Sequence, residues 1–294
     1  MLRLRLVSLN TCQDLKRSRQ RHDAIIGIQD LPGSSNLKLV IGQYHKPQSL
    51  KPRSMSESEA QRSGMGEQEP LLGRAGDASQ QDGLPLYHNL IIGTGVIAQA
   101  GSWILVAIVW GAVFSNPVIL FSAHPLLNSA AILLFTQGVL ILQPTHTAKQ
   151  KKHGTWAHAG LNDLALSAGI AGLVVIEYNK IAHNGTHFVS PHAILGLITY
   201  ILILIQGLVG FTQYFVPQIY GGEENAKKLY KYHRVSGYFI FLMLLATVAA
   251  ATQTDYNKNV LKIKLWAVIV AAVITLIGVL PRVKKQKFGW LAGQ

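Results

Sequence analysis

Long apolar runs begin only after residue 88. Before that point hydrophobic positions are scattered among Arg, Ser, Gln and Gly. From 89 to 281 they gather into six stretches, roughly 90–114, 118–142, 156–176, 192–216, 234–251 and 260–281. Each is about 17 to 26 residues long, the length at which a helix crosses a hydrocarbon core. None alternates apolar and polar residues with the period of a strand, so the pattern predicts membrane helices rather than a barrel. The third stretch carries Asn162 and Asp163 and is rich in small residues (AHAGLNDLALSAGIAG), which suits close packing inside a bundle better than contact with lipid. The expected architecture is all-α: a six-helix integral membrane bundle over 89–281, preceded by a disordered segment over 1–88 and followed by a basic tail over 282–294.

Composition sharpens the picture. Only 14% of residues are charged and the mean hydropathy is +0.25, where a soluble domain carries about a quarter charged residues. The formal net charge is +13, and residues 89–294 hold 15 Lys/Arg against 5 Asp/Glu. These cations lie in short loops between apolar stretches, so membrane topology explains them better than nucleic acid does. One side collects Lys149, Lys151, Lys152, Lys227, Lys228, Lys231, Arg234, Arg282, Lys284, Lys285 and Lys287, and the other only Lys180, Lys258, Lys262 and Lys264. The richer side is expected to be cytoplasmic, which places both termini there. The glycosylation sequon Asn184-Gly185-Thr186 then falls on the lumenal side.

Residues 1–54 hold ten Lys/Arg and three Asp. An organellar transit peptide is one reading; a disordered or over-extended start is preferred, with Met55 as a natural alternative initiator. Residues 55–88 are rich in Ser, Gln, Gly and Glu and read as disordered. Within them EQEPLL (67–72) has the spacing of an acidic dileucine signal, pointing to a vacuolar or endosomal membrane, with the plasma membrane as the alternative. The single cysteine, Cys12, excludes an internal disulfide, a zinc-thiolate site and a CxxCH haem attachment. Any haem must be held without a covalent link.

The histidines carry the chemistry. His124 and His192 fall on the lumenal side, at the starts of the second and fourth stretches. His158 and His233 fall on the cytoplasmic side, at the starts of the third and fifth. Ionisable groups within a membrane cost several kcal/mol and usually mark function. Neutral imidazole is a good ligand for haem iron, and two imidazoles on opposing helices fill both axial positions. Such a haem passes electrons and leaves no site for oxygen. Two of them, one near each face, form a wire with irons ~20 Å apart along the membrane normal.

The motifs HPLLNS (124–129), HAGL (158–161), HFVSPHAILG (187–196) and YHRVSGY (232–238) resemble those of the eukaryotic cytochrome b561 family, in order and over about 118–281. The resemblance implies two non-covalent b-type haems, the lumenal one on His124 and His192, the cytoplasmic one on His158 and His233. It also implies electron transfer from cytoplasmic ascorbate to lumenal or extracellular monodehydroascorbate or a ferric chelate. The chain diverges at the ascorbate-site residues. Lys151 fits the first of two lysine places before the third-span histidine, but Thr155 occupies the second. Lys227, Lys228 and Lys231, not Arg, precede His233, and the second span reads AILLFTQGV without the family's Arg. Asn128 stands where the family often has Met.

Further candidates surround these pairs. His187 is at the place of a family histidine near the acceptor, with Phe188 as a ring against the haem edge; the bland alternative is a solvated loop. Lys151, Lys152, Lys227 and Lys228 would ring the cytoplasmic mouth and attract an ascorbate anion, or simply face anionic lipid. His153 is the rival to His158, which lies deeper, past Trp156. His146 and His183 read as loop residues, and Asp163 as a polar group within the bundle. The expected partners are membrane lipid and a small-molecule donor and acceptor, and a homodimer is compatible with them. The alternative function is a proton or metal-ion transporter built on the same histidines. It would want polar groups strung through the membrane middle, whereas here the histidines sit at the two ends.

Overall fold

A computed structural model describes residues 78–284. The basic N-terminal stretch, Cys12, Met55, the EQEPLL motif and the tail lysines Lys285 and Lys287 lie outside the described residues. Within them the chain is an all-α, multi-pass membrane protein. Six helices are long and apolar enough to cross a membrane: α1 (Gly95–Phe114), α2 (Ala123–Leu142), α3 (Ala148–Ala182), α4 (Pro191–Phe215), α5 (Glu223–Ala251) and α6 (Leu265–Val279).

Two helices begin earlier than their apolar runs. α3 starts at Ala148 because Thr147 and Gln150 form a capping box. Gln150 N donates to Thr147 Oγ1 at 3.2 Å, and Thr147 N donates to Gln150 Oε1 at 3.3 Å, satisfying two amides that the first turn leaves open. α5 starts at Glu223, after Gly222 at φ 111°. Glu223 and Glu224 then occupy its first turn, where the helix dipole favours acids. These polar turns carry the helices past the hydrocarbon. The 35 residues of α3 span ~52 Å against a core of ~30 Å. α4 begins where the apolar run does, since Ser190 Oγ accepts from Ala193 N at 3.2 Å and Pro191 opens the first turn.

The helices form a closed ring. α2 packs most extensively on α3, α1 on α6, and α4 on α5, and α1 also lies against α2. By contrast α3 and α4, α5 and α6, and α2 and α5 meet only sparsely. The apolar core, with Leu105, Leu140, Leu245 and Val268, is drawn from α1, α2, α5 and α6, with nothing from α3 or α4. Two tight hairpins, α2/α3 and α4/α5, therefore face each other across a lightly packed middle.

The small residues of α3 do not bury the whole helix. Ala165, Gly169 and Gly172 form one buried stripe, while Leu164, Val174 and Tyr178 are exposed. The spacing of that stripe puts it on a single face, so most of α3 is left for lipid. Arg282 is the other surprise. It counts among the loop cations by position, yet it is 2% exposed. Its Nη2 donates to Asn89 O at 2.6 Å and to Leu140 O at 3.0 Å, so the cation sits on the carbonyl end of α2, where the helix dipole favours it.

Candidate functional site

The folded chain brings the four histidines together as two pairs. His124 on α2 and His192 on α4 face each other with ring centroids 6.1 Å apart at 84°. His233 on α5 lies within Coulombic range of His158 on α3. All four are half-buried. Each pair joins the two hairpins across the lightly packed middle. Phe121 stacks on His124 at 5.9 Å and meets Tyr256 edge-on at 4.4 Å.

Each anchor lies within the histidine's own hairpin. His124 Nδ1 reaches Gly172 O at 2.9 Å, His158 Nδ1 reaches Gly138 O at 2.7 Å and His192 Nδ1 reaches Thr247 O at 3.0 Å. A carbonyl can only accept, so in each case Nδ1 carries the proton and Nε2 keeps its lone pair. Fixing Nδ1 in this way orients a ligating imidazole and raises its basicity. Asn162 Nδ2 lies 3.0 Å from His158 Nε2, and such a donor needs that same lone pair.

Two segments share a pattern that the sequence reading missed. HPLLNSAAILLFTQG (124–138) and HAGLNDLALSAGIAG (158–172) carry His, Leu, Asn, Ala and Gly at matching places. The hairpin uses them reciprocally. A Cβ on Gly172 would meet Asn128 Nδ2 at 2.5 Å, and one on Gly138 would meet Asn162 Oδ1 at 2.6 Å. Each asparagine thus lies over the glycine whose carbonyl holds the histidine of the asparagine's own helix. In α4 and α5 the places are exchanged: glycines stand four residues after His192 and His233, where a Cβ on Gly196 would come 3.6 Å from Thr247 Cγ2 and one on Gly237 3.1 Å from Gln206 Nε2. The signal was legible as a repeated spacing, but it makes sense only once the helices are antiparallel neighbours.

The model of the eukaryotic cytochrome b561 family matches residues 117–258. The chain is thus similar to that family from the loop before α2 to the loop after α5. The transmembrane ascorbate-dependent reductase CYB561 of Homo sapiens is 25% identical over 174 residues, covering 58% of this chain and 67% of that protein. The Bos taurus protein of the same name is 24% identical over 180 residues, covering 60% and 69%. The ascorbate-specific transmembrane electron transporter 2 of Zea mays is 25% identical over 133 residues, covering 45% and 55%. These likenesses are to membrane electron-transfer proteins that are reductases by name, and the family implies haem b as the prosthetic group.

The position that departs from the family pattern has a structural use. Asn128 donates to His124 O at 2.9 Å and accepts from Tyr200 Oη at 2.5 Å, and that hydroxyl also lies 2.8 Å from Gly169 O. One asparagine so ties α2 to α3 and α4. His187 and Phe188 are exposed on the loop before α4, with Phe188 at φ 52°. His187 Nδ1 meets Glu177 Oε2 at 2.5 Å, a partner that sequence spacing did not suggest. At the opposite end Lys151, Lys152, Lys227 and Lys228 are all exposed. Lys227 is paired with Glu223 at 2.7 Å and Lys228 donates to Asn225 at 3.0 Å. With α3 and α5 extended, these lysines stand ~8–10 Å outward of the histidines along their helices. Lys284, just past α6, is held below its usual pKa, first by partial burial and then by Lys151 and Arg282. His153 and Asp163 are both exposed; neither lies with the histidine pairs.

Proposed function

We propose that this chain acts as a cytochrome b561 and carries single electrons across the membrane through two non-covalent b-type haems. His124 and His192 hold one; His158 and His233 hold the other. The observation that carries the proposal is the 6.1 Å separation of the His124 and His192 rings. Two rings so placed, on helices of different hairpins, would hold one prosthetic group between them. The donor set fits as well. His124 and His192 each commit Nδ1 to a carbonyl, leaving two neutral Nε2 lone pairs, and haem iron takes such ligands. Bound there, a haem would supply a one-electron redox couple.

The chain's own residues do the rest. The carbonyls of Gly172, Gly138 and Thr247 hold three imidazoles in one tautomer. Asn128 and Asn162 keep α2 and α3 in register. Lipid-facing side chains keep water from the middle of the bundle. The likeness to ascorbate-dependent proteins supports ascorbate as the cytoplasmic donor, drawn by the rim of Lys151, Lys152, Lys227 and Lys228. His187 and Phe188 mark the exit to a lumenal acceptor, monodehydroascorbate or a ferric chelate. The excess of cations on one side supports cytoplasmic termini. A vacuolar or endosomal membrane is the proposed location, with the plasma membrane as the alternative.

The test is a reduced-minus-oxidised visible spectrum of the purified protein, with haem per chain quantified and ascorbate as reductant. Two low-spin b-type haems per chain, reduced rapidly by ascorbate, are expected. Reduction by dithionite alone would remove ascorbate as donor, and a haem-free protein would overturn the proposal.

A further inference from the structure

The internal two-fold sets the same requirement at every imidazole. Three meet it with a main-chain carbonyl on the partner helix, 14 residues beyond that helix's own histidine: Gly172, Gly138 and Thr247. For His233 the corresponding residue is Gln206, and there the pattern breaks. Among the described residues His233 Nδ1 is buried without a hydrogen-bond partner. The Gln206 side chain holds the peptide of His233 instead. Its Nε2 donates to His233 O at 2.6 Å, and its Oε1 accepts from Ser236 Oγ at 2.7 Å. Ser236 Oγ also lies 3.2 Å from His233 O. Glycines make room for both groups. A Cβ on Gly237 would come 3.1 Å from Gln206 Nε2, and one on Gly210 would come 2.7 Å from His233 Cε1.

We propose that Gln206 is the positioning residue of His233, fixing through a side-chain clamp on the backbone the one imidazole that no carbonyl fixes through Nδ1. The assignment rests on the reading of the four histidines as haem ligands. A hydrogen bond from Nδ1 makes the opposite nitrogen a stronger donor and so favours the ferric state. His233 lacks that bond, so on this reading its hold on a haem would depend on the clamp instead. The asymmetry between the two ends of the path then depends on a side chain, which can be changed, rather than on a main-chain carbonyl.

The experiment uses the full-length holoprotein, with low-temperature electron paramagnetic resonance and a redox titration of both haems. The cytoplasmic signal is assigned as the one lost in His233→Ala. Gln206→Leu is expected to shift the g-values and the midpoint of that signal and to leave the lumenal signal in place. Ser236→Ala removes half of the clamp and is expected to shift the same signal by less. If Gln206→Leu loses a haem outright, Ser236→Ala carries the test. Two unshifted signals in both variants, or equal shifts of both haems, overturn the assignment alone. A wild-type protein without two low-spin haems overturns the proposed function and this assignment with it.

Discussion

Because a carbonyl oxygen has nothing to donate, the tautomers of His124, His158 and His192 are set by the backbones of Gly172, Gly138 and Thr247. At Gly172 and Gly138 the lack of a side chain lets the backbone approach closely. Gly172→Ala is therefore expected to displace Asn128, and Gly138→Ala to displace Asn162. Each should lower bound haem by about half, measured as Soret absorbance per chain, with the lumenal haem lost in the first and the cytoplasmic in the second. Gly111→Ala, where a Cβ would meet nothing within 4 Å, should keep both haems, and it should gain stability because Ala is favoured over Gly in a helix by up to ~1 kcal/mol. The histidines were legible in the sequence because an imidazole in a hydrophobic run stands out by itself. The roles of Asn128 and Gln206 were not, since each depends on a residue of another helix. Asn128 therefore read only as a departure from a family pattern.

Among the elements, the helices that carry histidines and those that close the bundle have separate tasks. α1 and α6 bear no histidine and meet through small residues. A Cβ on Gly278 would run into the backbone of Ala98, and one on Gly101 into that of Thr275. Overpacking of this kind costs about 1–3 kcal/mol. Gly278→Ala is expected to lower the thermal midpoint of Soret loss, while the potentials of both haems stay where they are. A variant that left thermal stability intact but moved a potential would mean that α6 acts on a haem directly. Hydrophobic runs located all six helices but misjudged the starts of α3 and α5. Apolar residues report where lipid is, whereas a helix ends where its amides find other partners. Thr147 with Gln150 was the sign for α3, lying in a polar stretch that the hydropathy pattern passes over.

For the whole molecule, the cation distribution and the sequon make the same statement about orientation. Asn184 is exposed in a tight turn past α3, at φ 50°. Expression in a glycosylating host should give a protein whose apparent mass falls on glycosidase treatment, and the shift should vanish in Asn184→Gln. An unshifted wild-type protein, together with labelling of lysines near α3's first turn from the lumenal face, would invert the proposed topology.

The ring of helices has a consequence for biogenesis. α1 has its largest interface with α6, at the opposite end of the chain, and Arg282 can bond the carbonyls of Asn89 and Leu140 only after α6 is in place. During synthesis the first span thus waits in the bilayer with a bare face until the last one leaves the ribosome. Over that interval the barrel of helices is open along one seam. Arg282 is the latch of that seam, and chains truncated before it should be recognised by the cell as unfinished.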